Sequence, residues 1–228
     1  LDWTTKELTA ATLHGVGLGG TDLTDAIVIE GAQKTTTGTQ DYTTAGFQPD
    51  CIPLMFGCAV TAVGNATSLH AWIGAAMSAS KQYVFSISGR DAQNMTANVD
   101  ATSTSSDNNC IQQLLNTGAA DSVATWSAWL SNGVQLNFTN AAASAWLFSM
   151  LCLKGGQYEI AAAPKDVDAA PDTQDLTTAA FTPVGMLLAS TSVPTTAYSG
   201  HAFGASDGTT EGSIWSATKD ATLNTEAD

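Results

Sequence analysis

Of 228 residues, 44% are hydrophobic and only 12% charged, enough apolar matter for a core and unlike a coiled coil or an acidic disordered tail. Seven basic residues against 21 acidic ones give a net charge of −14 and a pI near 4.2, a surface that repels phosphate and argues against nucleic acid and anionic membranes as partners. No apolar run approaches the roughly 18 residues of a helical membrane span, and Leu1 to Leu8 do not read as a signal peptide.

In chain order, the first feature is LDWT at Leu1–Thr4, answered at an offset of 135 by LNFT at Leu136–Thr139. The same offset sets Thr12–Leu18 against Leu147–Leu153, and both stretches run into a Gly-Gly pair, Gly19-Gly20 and Gly155-Gly156. Self-similarity at a fixed spacing marks a repeated architecture. Residues 1–36 are therefore expected as the closing hairpin and linker of a repeat unit. Next, TQDYTTAGFQP at Thr39–Pro49 recurs as TQDLTTAAFTP at Thr173–Pro183, with eight of eleven positions identical at an offset of 134. His70-Ala71-Trp72 and Gly74-Ala75 are answered by His201-Ala202-Phe203 and Gly204-Ala205, and Phe85-Ser86 by Trp215-Ser216. The spacing thus delimits a complete unit at 37–156, an acidic linker at 157–170, and the first half of a second unit at 171–228.

Within a unit the hydrophobic period is two. Ile52, Leu54, Phe56 and Cys58 alternate with Cys51, Pro53, Met55 and Gly57; Tyr83, Phe85 and Ile87 alternate with Val84, Ser86 and Ser88. Trp126, Ala128 and Leu130, then Val134, Leu136 and Phe138, repeat the pattern. Short alternating strands separated by Gly, Asn, Asp and Pro predict an all-β chain of sandwich or barrel type. Ser131-Asn132-Gly133 is expected as a hairpin turn, because Asn-Gly tolerates positive φ. Pro53 cannot donate to a ladder, which points its strand to an edge or a late start. Asn109–Asn116 and Ala141–Trp146 are the only stretches with helical character, and Asp100–Asn109 reads as a polar loop.

Two catalytic patterns occur by letter. Gly15–Gly20 spells G-x-G-x-x-G, but a turn and a strand follow where a dinucleotide site needs a helix. Gly204–Gly208 spells G-x-S-x-G outside any strand-to-helix turn. Asp166, Asp168, Asp172 and Asp175 lack the spacing of a calcium loop and read as solvated linker charge. Cys51, Cys58, Cys110 and Cys152 have no metal-ligand spacing. Cys51 and Cys58 are an odd number of residues apart, hence on opposite faces of one strand and not paired with each other. The four are expected as small buried hydrophobes, with a disulfide between sheets the lesser alternative. No catalytic, metal or cofactor site is expected.

Of the six tryptophans, Trp126 and Trp129 have opposite parity, which makes Trp129 the candidate for an outward, interacting ring. His70 and His201, being repeat-equivalent, are further surface candidates. Residues 1–20 and 171–228 are complementary pieces of one unit. Trp3 and Leu13 are therefore expected to pack against Met186, Leu188, Phe203 and Trp215, within the chain or between subunits, and the chain is expected to form a homo-oligomer or dock on a larger assembly.

Leu18–Ala26 (LGGTDLTDA), Gly46–Asp50 (GFQPD) and Gly133–Thr139 (GVQLNFT) resemble a tandem-repeat β-sandwich family of virion proteins of tailed bacteriophages. The hairpin followed by a Trp strand is also similar to the end of an H-type lectin sandwich. The family's unit is complete at both ends, whereas both ends here read as cut. The first resemblance implies two pseudo-repeated antiparallel β-sandwich units of jelly-roll or lectin-like type, the second incomplete in sequence. It also implies a non-enzymatic virion structural protein: a capsid decoration or head or tail accessory module, partnered by its own copies or by the major capsid or tail protein. The alternatives are a carbohydrate-binding receptor module of a tail fibre, with a glycan as partner, and a secreted bacterial surface protein found outside the cell.

Overall fold

The structure is a computed structural model that describes residues 17–62, 68–90, 101–115, 118–162, 177–195 and 198–219. Every regular element among them is a strand: β1 (Leu23–Ala32), β2 (Gly38–Tyr42), β3 (Cys51–Cys58), β4 (Ser68–Ser78), β5 (Lys81–Arg90), β6 (Ala101–Ser106), β7 (Ile111–Leu114), β8 (Ala120–Leu130), β9 (Gly133–Asn140), β10 (Leu147–Gly155), β11 (Met186–Thr195), β12 (Tyr198–Ser206) and β13 (Glu211–Lys219). The chain is all-β, and every pairing is antiparallel.

Three sheets result, ordered β1-β10-β3-β4-β5-β6, β2-β9-β8-β7 and β11-β12-β13. The first two share one core. Ile29, Ile52, Met55, Trp72, Val84, Phe148 and Met150 from the six-stranded sheet meet Tyr42, Ile111, Val134, Leu136 and Phe138 from the four-stranded one. Alternation supplies this face, since side chains two apart on a strand point the same way. Phe148 is gripped between Tyr42 and Trp72, at ring-centroid distances of 5.3 and 5.8 Å. β1 falls in the stretch read as a linker ahead of the complete unit, yet it pairs with β10 from Leu23↔Gly155 to Ala32↔Leu147 and lends Ile29 to that core.

Several polar residues inside the core are held by hydrogen bonds. Ser122 donates its hydroxyl to Gln33, and the Ser86 hydroxyl donates to the Gln112 carbonyl at 2.6 Å. Asp121 accepts from Trp146 Nε1 at 2.6 Å and from the Ala143 amide at 3.1 Å. Buried polar atoms without partners cost about 1–3 kcal/mol each, so these bonds are a condition of closing the core.

Several local expectations are corrected. Ala101–Ser106 is a strand where a loop was expected, because its Ser and Thr side chains suit an edge beside β5. Ile111–Leu114 is a strand, and Ala141–Trp146 is irregular rather than helical. Pro53 lies in β3, which is an interior strand, flanked by β10 and β4. The ladders slip on both sides of it, between Ile52 and Met55 towards β4 and between Leu151 and Leu153 towards β10. That irregularity is what excuses a residue with no N–H from the ladder. Gly133 does not take positive φ; Ser131 and Asn132 make the turn, and Leu130 pairs with Gly133. Glycine is needed there because a Cβ would overlap the Tyr42 carbonyl of the neighbouring strand.

Candidate interaction surface

The three-stranded sheet repeats β3-β4-β5 in order and sense. Met55 pairs with Gly74 in the first set, and Leu188 with Gly204 in the second; Ile52 pairs with Ala76, and Met186 with Ser206. The ladder differs from the letter-by-letter alignment at one point. With Gly204 set on Gly74 and Ser206 on Ala76, Ala202 falls on Trp72, and Trp215 stands opposite Ala202 as Ser86 stands opposite Trp72, so Trp215 matches Ser86 rather than Phe85. The backbone position of Trp215 is described; its side chain is not. Trp3 and Leu13 lie outside the described residues.

β11 and β12 lie against β5 and β6. On β5, Val84 and Ser86 face the main core, which turns Phe85 and Ile87 to the other side. Both are nevertheless buried, because the three-stranded sheet covers them. His201 carries that contact: its ring stacks on Phe85, with centroids 6.4 Å apart and planes at 28°. Burial lowers the His201 imidazole pKa below its ordinary value.

Among the described residues, nothing covers the opposite side of this sheet. Met186 and Leu188 share a face with Gly204 and Ser206, away from His201, and are 42% and 44% exposed. Their counterparts Ile52 and Met55 are sealed in the main core. Phe203 is half-buried on the side of His201, so it does not share a face with Met186 and Leu188. A second apolar stretch lies on the outer face of the six-stranded sheet, where Phe56 is 54% exposed beside Ile73, and Val28 is 62% exposed beside Leu151. The slip at Pro53 puts Ile52 and Met55 together on the inside and leaves Phe56 outside. In the sequence only Pro53, which cannot join a ladder, hinted at it.

The remaining candidates sit elsewhere. His70 lies on β4 opposite Ser88, on the side of Trp72, half-buried, with its carbonyl accepting from the Ala59 amide at 3.1 Å. Trp129 is half-buried against the main core and meets Trp126 edge-on, with centroids 5.6 Å apart. The opposite-parity expectation fails because β8 bulges between Trp126 and Ala128, so Trp126 faces Leu136 and Trp129 faces Val134 on one side of the sheet. Gln82 stabilises the bulge by accepting from the Trp126 amide at 2.7 Å.

The letter motifs acquire plain structural roles. Ser206 of G-x-S-x-G ends β12 and accepts from the Gly208 amide in the turn to β13, while Asp207 accepts from Thr209 and Thr210 at 2.9 and 2.6 Å. β1 follows the G-x-G-x-x-G stretch. All four cysteines are free, and burial pushes the thiols of Cys51, Cys110 and Cys152 up to about 12, far from nucleophilic character near neutrality. Comparisons with family models, curated proteins and solved structures gave no match.

Proposed function

We propose that this chain is a non-enzymatic structural protein of a tailed-phage virion, a capsid decoration or head or tail accessory module built from two pseudo-repeated β-sandwich units. The observation that carries the reading is the two-sided use of the β11-β12-β13 sheet. One face docks on β5 and β6, while the other holds Met186 and Leu188 in solvent at positions that are core in the first unit. An apolar sheet face and a bare strand edge are liabilities for a free monomer and assets for a subunit that ends up covered. The acidic surface suits a module that associates with protein and stays off nucleic acid. The resemblance of LGGTDLTDA, GFQPD and GVQLNFT to tandem-repeat virion proteins supplies the setting.

Mass spectrometry of purified particles tests this. The chain should appear at a copy number comparable to the capsid or tail subunits. Its absence from particles, or specific binding on a glycan array, would replace this reading with a secreted surface protein or a carbohydrate-binding module.

A further inference from the structure

We propose that β11 accepts an added strand from residues 12–18 of a second copy of this chain, which lies along its free edge and closes the face of Met186 and Leu188. The inference deepens the assembly reading but needs only that copies of the chain meet, not that they do so in a virion.

The position comes from the repeat. In the first unit β3 is held between β4 and β10. β11, the counterpart of β3, has β12 on one side and no partner on the other among the described residues. Its bare edge is therefore the place of β10. The segment that matches β10 in sequence is Thr12–Leu18, with Leu13 for Phe148, Val16 for Leu151 and Leu18 for Leu153.

Two observations make the donor a different copy. The described end of the segment turns away from its own fold: Leu18 is 48% exposed, and a Cβ at Gly17, Gly19 or Gly20 would touch nothing within 4 Å. Reach is also short. Leu23 is fixed opposite Gly155 at one edge of the six-stranded sheet, whereas β11 lies over β5 and β6 towards the other edge. Four strand spacings separate β1 from β5, about 19 Å in the plane of the sheet, before the roughly 10 Å step up to the covering layer. The chain from Leu18 to Leu23 spans at most about 17 Å fully extended. A strand from a neighbour has no such limit, and edge addition supplies main-chain hydrogen bonds with side-chain pockets on alternate residues.

The register is fixed by the first unit. Phe148 pairs with Gly57 and Ser149 with Phe56. Transferred to the second sheet, Leu13 stands opposite Ser190 and His14 opposite Ala189, so Leu13 falls on the side of Leu188 where Phe148 fills the first core. Because one surface gives and a different one receives, the contact is heterologous and propagates into rings or chains.

Two single variants, His14→Cys and Ala189→Cys, each in a Cys58→Ser background, are purified separately, mixed and oxidised. Paired strands put opposite Cα atoms about 4.5–5.5 Å apart, within disulfide range. A covalent dimer joined at 14 and 189 is expected. Leu13→Asp should lower its yield at least about tenfold, since a carboxylate is poorly tolerated on a closing apolar face. On the unsubstituted chain, a peptide of residues 10–20 in excess should disperse the oligomers seen by sedimentation. A strictly monomeric chain, a 14–189 link within one chain of the double variant, or oligomers indifferent to the peptide would each overturn the proposal. The link forming while the chain is missing from particles would sink the virion reading alone.

Discussion

Replacing Gly74 by alanine, and separately its counterpart Gly204, separates a closed sheet face from an open one. A Cβ on Gly74 would fall inside the van der Waals shell of the Cys110 carbonyl oxygen, 3.1 Å from its carbon and 3.3 Å from the Tyr83 oxygen. All of these are backbone atoms, which cannot swing aside. Relief requires the start of β7 to retreat by on the order of 1 Å, as in other overpacked cores. That movement strains the 2.9 Å bond from the Cys110 amide to the Ala124 carbonyl. One backbone hydrogen bond at ~1 kcal/mol and an overpacking term of ~1–3 kcal/mol give a loss of about 2–4 kcal/mol. For a chain of this size that lowers Tm by about 10 °C. A Cβ on Gly204 meets only the Gly212 oxygen at 3.2 Å and Ser213 Cβ at 3.4 Å, within its own sheet. Gly204→Ala should therefore stay within about 1 kcal/mol of the parent, helped by the smaller entropy loss of alanine. Urea unfolding followed by tryptophan fluorescence and by far-ultraviolet circular dichroism measures both. Equal losses for the two variants, or a Gly74→Ala chain as stable as the parent, would refute the assignment of Gly74 to a face closed by the opposite sheet.

Phe138→Ala, at a fully buried position where the sheets meet, should cost about 3–5 kcal/mol in the same urea experiment. Asp121→Ala strands the Trp146 and Ala143 N–H groups and should cost about 2–3 kcal/mol, while Asp121→Asn, which keeps one acceptor oxygen, should lose about half as much. Burial raises the Cys51, Cys110 and Cys152 thiols to about 12, so the folded state holds protons that the unfolded chain releases near pH 9. Their contribution is complete below pH 9 and is lost as the pH rises from 9 towards 12. The urea midpoint should accordingly fall across that window, and a flat profile would count against buried thiols. His201 has the opposite sign: its lowered pKa adds stability above the ordinary histidine value of about 6.5 that is lost on acidification, and His201→Phe should remove that share of the acid sensitivity.

What could be read in the sequence was local or repeated. Period-two alternation marks β3, β5, β8 and β9, and the 134-residue offset foretells that β11-β12-β13 follows β3-β4-β5 in order and sense. Parity was the weak link. A bulge adds a residue without changing the letters, so the slips at Pro53 and after Trp126 exchanged inside for outside at Phe56 and Trp129. Pairings between distant segments were also invisible: no pattern within Leu23–Ala32 says that it will lie against Leu147–Gly155. The docking of Phe85 on His201 joins residues more than a hundred positions apart and depends on which face of β5 the first core leaves unused.

The bulge in β8 also gives the molecule an optical signature. Trp126 and Trp129, held edge-on with planes at 66°, have indole transitions close enough to couple and oblique enough for the coupling to be chiral. Their exciton signal reports one short stretch of one strand. It disappears when the Gln82 clasp on the Trp126 amide lets go, and that clasp reaches across from β5 of the six-stranded sheet. A chain with six tryptophans, whose fluorescence would otherwise average over the whole molecule, thereby carries a spectroscopic probe of the contact between its two larger sheets.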